Sequence, residues 1–318
     1  MQEPTQLPKT YLTFPPPYQR VPRARRLVHT LAGLLLFPVY WLLAFATSAP
    51  GLVLRLRFAR KGFVLLTKRD YVRAYGLLVA PLDSFRYFEF DFMWHAVKHL
   101  RPSAYLDVSS PRMLPLLIVD RNKTLVADLI NPDKSDLPET RSLAKTLKLS
   151  SRCRFHDSLI GDAPLKPESF DLITSMSVIE HIQDDAGAIR KMWDLLRPGG
   201  VLLLSVPCAA RASEEHINLN DYGLMGADDQ GFVFWQRYYD DSLLQQRIFS
   251  ITGQPRRSRI YAENKAGNYS RNVEQKRANP YYPYWREPFM IGQEYAFQQR
   301  LCDLPGMAVI AMEFVKPE

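Results

Sequence analysis

Residues 170–207 read FDLITSMSVIEHIQDDAGAIRKMWDLLRPGGVLLLSVP, and this stretch decides the fold. It opens with a buried strand over residues 170–175. Acidic residues then begin a helix over residues 184–196, whose apolar side chains recur at helical spacing. A Pro-Gly-Gly sequence at residues 198–200 ends this helix, and residues 201–206 form a continuous apolar strand, which is typical of a parallel sheet covered on both faces. The stretch therefore predicts a strand, helix, strand unit with a right-handed crossover.

The same alternation extends in both directions along the chain. Further strands are predicted at residues 105–108, 124–128, 152–155, 258–262 and 307–315, with helices at residues 84–99, 138–149 and 237–253. Strands that alternate with helices form a doubly wound α/β sheet, in which ligands bind at the carboxyl ends of the strands. Residues 208–234 and 263–305 are insertions without assigned elements.

Two runs within the deciding stretch, residues 170–185 and 192–207, are similar to the fourth-strand and fifth-strand signatures of class I S-adenosylmethionine-dependent methyltransferases. Both motifs occur at the spacing found in that family. The resemblance implies a doubly wound, mostly parallel seven-stranded sheet within residues 63–318, S-adenosylmethionine as cofactor and S-adenosylhomocysteine as product. A nicotinamide-dependent oxidoreductase is disfavoured, because no Gly-x-Gly-x-x-Gly sequence follows the first strand.

The loop after the first strand departs from the family pattern. In the family an acidic residue is followed by glycines, because the backbone must pass close to the cofactor. Here Asp107 is kept but residues 107–112 contain no glycine. Ser109 and Ser110 are small and can donate hydrogen bonds to a carboxylate. Two interpretations follow: a cofactor site that includes Asp107, Ser109 and Ser110, or a catalytically inactive scaffold or binding protein with a methyltransferase fold.

Three further residues are assigned to the cofactor site by the resemblance. Asp128 ends the predicted second strand, where a carboxylate can accept hydrogen bonds from both ribose hydroxyls. Asp157 is the candidate on the adenine side, with Asp162 as the alternative. Ser175 ends the fourth strand and is expected to face the cofactor.

Glu180 and His181 follow the fourth strand and are the candidate catalytic residues. A histidine with an ordinary pKa near ~6.5 can accept a proton from the acceptor. The alternative is a structural role, because methyl transfer to a good nucleophile requires mainly positioning and desolvation.

Aromatic and charged residues in the insertions are candidates for acceptor recognition, since loops above a rigid sheet commonly carry such residues. The candidates are Tyr222, Trp235, Arg237 and Tyr238. The alternative is that each packs locally within its insertion. Histidines here lack a Cys or His partner at ligand spacing, so no metal site is predicted.

The charge distribution restricts the class of partner. The 318-residue chain has a net charge of +8, and residues 1–62 carry nine Lys or Arg against one acid. The remaining chain is neutral, which disfavours nucleic acid binding. Three widely spaced cysteines give no disulfide framework and indicate a reducing compartment.

The basic front end is also the most apolar part of the chain. Residues 1–26 are predicted to be a flexible leader rich in proline and arginine, and residues 27–62 a membrane-association segment. Pro38 interrupts the apolar run, and cations flank it on both sides, which favours an in-plane helix or a helical hairpin on the cytoplasmic side of a membrane. The alternatives are a single span, a helix that covers the core and docking on a protein. A small-molecule or lipid-like acceptor fits this location.

Overall fold

The computed structural model describes residues 7–14, 22–220 and 223–318. The helices are α1 (Arg23–Ala46), α2 (Leu54–Thr67), α3 (Tyr71–Val79), α4 (Arg86–Val97), α5 (Met113–Arg121), α6 (Asp136–Thr146), α7 (Asp185–Leu195), α8 (Asp241–Leu244), α9 (Ser250–Thr252), α10 (Asn268–Ala278) and α11 (Glu287–Glu294). The strands are β1 (Lys9–Leu12), β2 (Ala104–Val108), β3 (Val126–Ile130), β4 (Cys153–His156), β5 (Phe170–Met176), β6 (Leu196–Cys208), β7 (Ser213–Ile217), β8 (Val233–Tyr238), β9 (Arg257–Glu263), β10 (Tyr295–Gln298) and β11 (Ala308–Val315). A π-helical turn, Gln245–Phe249, joins α8 to α9.

The main sheet has eight strands in the order β10-β9-β11-β6-β5-β2-β3-β4. The five strands from β6 to β4 run parallel, and β11 lies antiparallel between β6 and β9. The predicted doubly wound, mostly parallel sheet is confirmed. The eighth strand, β10, pairs antiparallel with β9 at the edge. It lies inside the unassigned insertion 263–305, and its four residues are too few for a clear period-two pattern.

Helices cover both faces of the sheet. On one face α4 and α5 bury Phe88, Met93 and Leu117 against the strands. On the other, α7 buries Ile189 and Met192. Since β6 is covered from both sides, its residues from Val201 onward are all buried, as the continuous apolar run predicts. The arrangement leaves the carboxyl ends of β2, β3, β5 and β6 along one edge.

A second, three-stranded sheet stands above that edge and was not predicted. Strand β1 from the leader pairs parallel with β7, and β7 pairs antiparallel with β8. The backbone N–H of Phe14 donates to the Asn218 side chain at 2.8 Å, and the Asn218 amide donates back to the Phe14 carbonyl at 3.1 Å. Part of the leader predicted to be flexible is therefore an ordered strand attached to the insertion 208–234.

The apolar N-terminal run forms α1, which passes through Pro38 without ending. Its inner side packs on the second insertion: the His29 ring lies 4.6 Å from the Trp285 ring, and Tyr40 lies 6.1 Å from Phe289. Gly33 permits this approach, because a Cβ there would lie 2.9 Å from the Trp285 ring and 2.0 Å from the hydroxyl of Tyr75 in α3. The helical segment extends past the predicted bounds at both ends, since α1 begins at residue 23 and α2 ends at residue 67.

Helix α1 is long and apolar enough to cross a membrane, by length and composition only. The mean hydropathy of its most apolar window is 1.8, and only 11% of that window is buried. One such helix near an N-terminus is weak evidence for a span. The large apolar side chains exposed between residues 27 and 72 are Leu27, Val28, Leu31, Leu34, Leu35, Leu36, Val39, Leu42, Leu43, Phe45, Val53, Leu56, Phe63, Val64, Leu66, Tyr71 and Val72.

Candidate functional site

Two cavities lie side by side at the carboxyl edge of the parallel strands. The large cavity has a volume of about 600 Å³ and is lined by the loops after β2, β3 and β5 and by the β7–β8 insertion. The small cavity has a volume of about 260 Å³ and lies between α4, β8 and α10. Arg86, Ser177, His181 and Trp235 line both. Two ligands, one in each cavity, would therefore meet at these four side chains.

The glycine-free loop after β2 keeps the backbone conformation that glycine usually provides. Ser109 has a φ of 52°, in the left-handed region. Its N–H and its hydroxyl both donate to the Ile130 carbonyl, at 2.8 and 3.1 Å. A non-glycine residue in this region costs about 1–2 kcal/mol, which these two hydrogen bonds help to offset. The loop therefore passes along the large cavity without a glycine.

Asp107 is buried beneath this loop, stabilises it through hydrogen bonds and does not itself line either cavity. Its carboxylate accepts hydrogen bonds from the Thr174 hydroxyl at 2.6 Å, the Ser110 N–H at 3.1 Å and the Tyr105 hydroxyl at 3.2 Å. Burial raises the pKa of Asp107 to about 6, against the lowering effect of these hydrogen bonds. The Ser110 hydroxyl accepts from the Met176 N–H at 3.1 Å and so joins the ends of β2 and β5. Asp107 is a positioning residue, whereas Ser109 and Ser110 line the large cavity.

The position of Asp128 corrects its assignment to the ribose site. It lies within β3, is 5% exposed and does not line the cavity. Its carboxylate accepts from His156 Nε2 at 2.7 Å and faces Arg154 at 3.4 Å. The predicted strand ended at residue 128, whereas β3 continues to Ile130, so the residue that reaches the cavity is Asn131.

Asn131 is the polar side chain at the carboxyl end of β3. Its N–H donates to the His156 carbonyl at 3.1 Å. Its side-chain amide donates to Asp136 at 2.9 Å, and its side-chain oxygen accepts from the Asp133 N–H at 2.9 Å. Asn131, Asp133 and Asp136 all line the large cavity, so this loop can present oxygen acceptors to the hydroxyls of a bound ligand.

The other two predicted cofactor residues also lie off the cavity. Asp157 is exposed, and neither it nor Asp162 is a lining residue. Leu159 and Ile160 line this side of the cavity instead, and they give it an apolar wall. Ser175 is fully buried within β5, and its hydroxyl has no hydrogen-bond partner among the described residues.

Helix α4 contributes two charged residues that the sequence analysis missed. The Arg86 guanidinium donates to Glu89 at 2.9 Å from the first turn of the helix. Glu89 is 1% exposed and also accepts from the Ser205 hydroxyl at 2.7 Å and from the Ser177 hydroxyl. This network fixes α4 on the ends of β5 and β6 and holds a cation where the cavities meet. The sequence offers one signal for this site, which is an Arg and a Glu three residues apart in a helix rich in aromatic residues.

Glu180 lines the small cavity and is 2% exposed. Burial, with a smaller contribution from Glu89, raises the pKa of Glu180 to about 8, although Arg86 and hydrogen bonds act in the opposite direction. The Oε2 atom is buried without a hydrogen-bond partner among the described residues. The Glu180 carboxyl group is therefore largely protonated at neutral pH, and it can gain or lose a proton in a mildly alkaline solution.

His181 connects the strand end to the second sheet. Its Nδ1 lies within hydrogen-bond distance of the Trp235 carbonyl, and because a carbonyl only accepts, Nδ1 carries the proton. Nε2 lies 3.9 Å from Glu180 Oε1. Burial lowers the pKa of His181 to about 4, so the imidazole is neutral at physiological pH. Its ring is thus held in a fixed orientation beside both cavities.

The four residues predicted to recognise the acceptor differ in their positions relative to the cavities. Trp235 lines both cavities. Arg237 is 4% exposed and forms ion pairs with Asp185 at 2.6 Å and Glu214 at 2.9 Å, so it stabilises the second sheet and does not line a cavity. Tyr238 is also buried, and its hydroxyl donates to Glu215 at 3.2 Å. Tyr222 lies outside the described residues.

The small cavity has further polar walls that the sequence did not indicate. Lys276 of α10 lines it and lies 3.3 Å from both Asp83 and Glu287. Tyr269 and Gln236 line it as well. Within the described ranges, no three His, Cys, Asp or Glu side chains are grouped so that they could hold a metal ion.

Comparison with known proteins agrees with the fold. Residues 120–204 match the family model of a methyltransferase domain. A ubiquinone biosynthesis O-methyltransferase of Xanthomonas campestris pv. campestris (strain B100) is 32% identical over 74 residues, which cover 23% of this chain and 30% of that protein. A probable S-adenosylmethionine-dependent methyltransferase of Mycolicibacterium smegmatis is 40% identical over 48 residues, which cover 15% of this chain and 19% of the relative.

The chain thus spans less than a third of the length of these two curated relatives. Among solved structures, the MccD protein superposes with a TM-score of 0.50 at 12% identity, covering 72% of this chain and 96% of the other. At this identity the superposition speaks for the fold alone.

Proposed function

We propose, from the class I S-adenosylmethionine-dependent methyltransferase fold of residues 84–318, that this chain transfers a methyl group from S-adenosylmethionine to a hydroxyl of a small acceptor. The observation that carries the proposal is the pair of cavities that meet at Arg86, Ser177, His181 and Trp235. One cavity has the position and lining of a cofactor site. The other contains Glu180, a carboxyl group with a pKa suited to proton transfer.

The residues of the large cavity fit S-adenosylmethionine. Its volume lies in the range of sites for ligands of this size. The left-handed Ser109 lets the backbone approach the ligand, and Asn131 and Asp133 offer acceptors for the ribose hydroxyls. Leu159 and Ile160 form an apolar surface suited to the adenine ring. When bound, the cofactor supplies a methyl group activated by a positively charged sulfur.

The small cavity would hold the acceptor and remove its proton. Ionised Glu180 takes the proton from the acceptor hydroxyl, and the Arg86 guanidinium stabilises the negative charge that develops on the acceptor oxygen. A base with a pKa near 8 is well matched to a weakly acidic hydroxyl, because its proton affinity is closer to that of the acceptor than an ordinary carboxylate's. The curated relative from Xanthomonas, whose name describes an O-methyltransferase, is consistent with a hydroxyl acceptor.

His181 and Trp235 would position the reactants and exclude water. The contact between His181 and the Trp235 carbonyl attaches β8 to the end of β5, and Phe234 and Leu224 close the large cavity from the same side. With a pKa lowered to about 4, His181 is a much weaker base than Glu180, whose pKa is raised to about 8, so Glu180 is the proton acceptor in this proposal. Desolvation at this junction strengthens the interaction between Arg86 and the acceptor oxygen.

The proposal includes a location at the cytoplasmic side of a membrane, through residues 27–62, with a small-molecule or lipid-like acceptor. Its support is the exposed apolar surface of α1 beside a catalytic domain taken as residues 63–318. The ordered strand β1 indicates that part of the leader 1–26 belongs to the second sheet.

Titration calorimetry of the full-length protein with S-adenosylhomocysteine tests the first part of the proposal. We expect a dissociation constant in the micromolar range. No binding at millimolar ligand would overturn the assignment and favour an inactive scaffold.

The reaction is tested by incubating the protein with S-adenosylmethionine carrying a deuterated methyl group and a bacterial extract that includes its lipids. Mass spectrometry then identifies products that have gained the label, and the position of the label shows whether an oxygen was methylated. Labelling confined to nitrogen or carbon would contradict the hydroxyl acceptor.

A further inference from the structure

The three N-terminal helices present an apolar surface that the rest of the described chain does not cover. On α1 the packed and exposed side chains lie on opposite sides: His29, Gly33 and Tyr40 contact the domain, whereas Leu35 and Leu42 are 76% and 64% exposed. Monomeric soluble proteins rarely expose contiguous apolar patches larger than a few hundred Å². A surface of this kind marks a docking site.

This surface continues past α1 onto α2 and α3. Leu56 and Phe63 of α2 are exposed, and Val72 of α3 is 85% exposed. Helix α2 contacts α1 through Arg55, whose guanidinium lies 4.8 Å from the centre of the Phe37 ring. We call the exposed apolar side chains of these three helices the docking face. It extends beyond the predicted segment 27–62, because Val72 belongs to it.

The charges around the docking face indicate its partner. Residues 22–69 contain nine Lys or Arg and no Asp or Glu. Arg23, Arg25 and Arg26 are exposed where α1 begins, and Arg57 and Arg60 are exposed on α2. Along α1 and α2 only cations border the apolar stripe, and Asp70, at the start of α3, is paired with Arg73, so the surface matches acyl chains beneath anionic headgroups. An anionic lipid bilayer therefore fits the face better than a neutral one.

The packing of α1 fixes its orientation relative to such a bilayer. Contacts with the domain run from His29 to Thr47, which is about 27 Å of helix at 1.5 Å per residue. The elements on the inner side of α1 include Arg286 and Glu287. A helix perpendicular to the membrane would carry these charged residues into the hydrocarbon, at a cost of several kcal/mol.

We propose that the docking face binds an anionic bilayer in its plane, with α1 parallel to the surface. This inference rests on the membrane association proposed above, and it adds the lipid class, the contribution of α2 and α3 and the exclusion of a span. The small cavity then lies one protein layer from the headgroups, because its residue Lys276 contacts Glu287 at the start of α11, the helix against which α1 packs.

Sedimentation with vesicles tests the inference on the full-length chain. We expect the protein to pellet with vesicles of phosphatidylcholine and phosphatidylglycerol in a ratio of 3:1. The variant Leu35→Asp/Leu42→Asp should bind at least tenfold more weakly, because each carboxylate would enter the apolar region. The control Gln254→Glu/Gln299→Glu adds the same two charges at exposed positions away from the docking face and should bind like the wild type.

The lipid preference and the orientation have separate tests. Arg23→Gln/Arg25→Gln/Arg26→Gln should lower binding to the anionic vesicles at least tenfold and leave weak binding to pure phosphatidylcholine nearly unchanged. In a Cys302→Ser background, which removes the exposed native thiol, cysteines placed at the two ends of α1 outside the large apolar side chains, Ala24→Cys and Ser48→Cys, should both react with an impermeant maleimide added from the same side of the vesicle. Labelling from opposite sides would establish a span.

S-adenosylhomocysteine binding separates this inference from the proposed reaction. The Leu35→Asp/Leu42→Asp variant should keep the affinity of the wild type for that ligand, since neither residue lines the large cavity. A full-length protein that is monomeric without detergent and does not pellet with vesicles would overturn the inference. A second result would also overturn it: a wild-type protein that does not bind vesicles and is a dimer, together with a monomeric Leu35→Asp/Leu42→Asp variant. In that case a second copy of the chain would cover the docking face.

Discussion

The two cavities are built in different ways although they share four residues. The large cavity consists mainly of short loops that directly follow β2, β3 and β5, so most of its lining residues are next to a strand that is easily recognised, and the β7–β8 insertion supplies the rest of one wall. The small cavity combines α4, the end of β6, β8, α10 and β11, and its lining runs from Asp83 to Val309 along the chain. Local sequence motifs therefore specify the first cavity, whereas long-range packing creates the second.

This difference has a functional consequence. The part of the large cavity that consists of strand-end loops changes little when insertions are exchanged, so this part of the cofactor site can remain while the acceptor changes. The small cavity is formed largely by helix α4 and the insertions, and three of its charged residues, Arg86, Glu89 and Lys276, are outside the strand-end motifs, whereas Glu180 belongs to the motif after β5. Substitutions in the two cavities should therefore separate acceptor turnover from cofactor affinity.

The largest expected effect is on turnover. Glu180→Gln should lower methyl transfer to the labelled acceptor by about 10²–10⁴-fold, because the amide cannot take the acceptor proton. The affinity for S-adenosylhomocysteine should change by less than about threefold. Glu168→Gln, an exposed carboxylate outside both cavities, is the matched control and should be fully active. An active Glu180→Gln variant would assign Glu180 a structural role.

The second effect concerns the loop of the large cavity. Ser109→Val should destabilise the protein by about 2 kcal/mol or more and abolish measurable cofactor binding, because a β-branched residue is strongly disfavoured at positive φ. Ser109→Gly should retain both properties, since glycine adopts this conformation freely. Thermal unfolding and calorimetry measure the two quantities. Ser258→Val, on an exposed position of β9, is the control in extended backbone. Equal behaviour of the valine and glycine variants at position 109 would show that the left-handed conformation is not required.

A smaller effect distinguishes the residues assigned to the ribose and adenine. Asn131→Ala should weaken S-adenosylhomocysteine binding by about tenfold, which is the worth of one or two hydrogen bonds. Asp157→Ala should leave the affinity within about twofold of the wild type, because Asp157 lies off the cavity. If Asp157→Ala weakened S-adenosylhomocysteine binding more than Asn131→Ala does, the assignment of Asp157 to the cofactor site made from the sequence would be supported.

The sequence was sufficient for seven of the eight strands of the main sheet and for part of the large cavity. Buried parallel strands are continuous apolar runs, and residues 170–207 contain two of them at a recognisable spacing. This predicted the fold and placed Ser109, Ser110 and His181 at the cavity. Asp128 was misassigned because an apolar strand continues through an occasional buried acid, here one that pairs with His156. A single sequence does not show that pairing.

The remaining site residues depend on contacts that no local pattern carries. Glu89 accepts a hydrogen bond from Ser205, which is 116 residues further along the chain, and Arg237 pairs with Asp185, which is 52 residues before it. These contacts place Glu89 at a cavity and give Arg237 a structural role. Both are charged residues near aromatic side chains and look alike in the sequence. Strand β1 is another such case, because its four residues are ordered only by pairing with β7.

The smallest expected effect is on the pH dependence of stability, and it tests the electrostatics of the small cavity directly. The folded-state pKa of Glu180, about 8, lies above its ordinary value of 4.5, so the native state favours the neutral acid. Its contribution to stability is fully present below pH 4.5 and is lost as the pH rises through 8. Glu180→Gln removes this loss. Its melting temperature should therefore exceed that of the wild type by about 5 °C at pH 9.

The useful window for this comparison is pH 6.5–9. Below this window, the depressed pKa of His181 makes the free energy of unfolding rise with pH, whereas the raised pKa of Asp107 makes it fall with pH. Within it, the difference in melting temperature between Glu180→Gln and the wild type should grow up to about pH 8 and then level off. A difference that stays constant across the window would mean that Glu180 is already ionised at pH 6.5. In that case Arg86 would outweigh burial, and Glu180 would be too weak a base for the proposed proton transfer, which would leave positioning as its role.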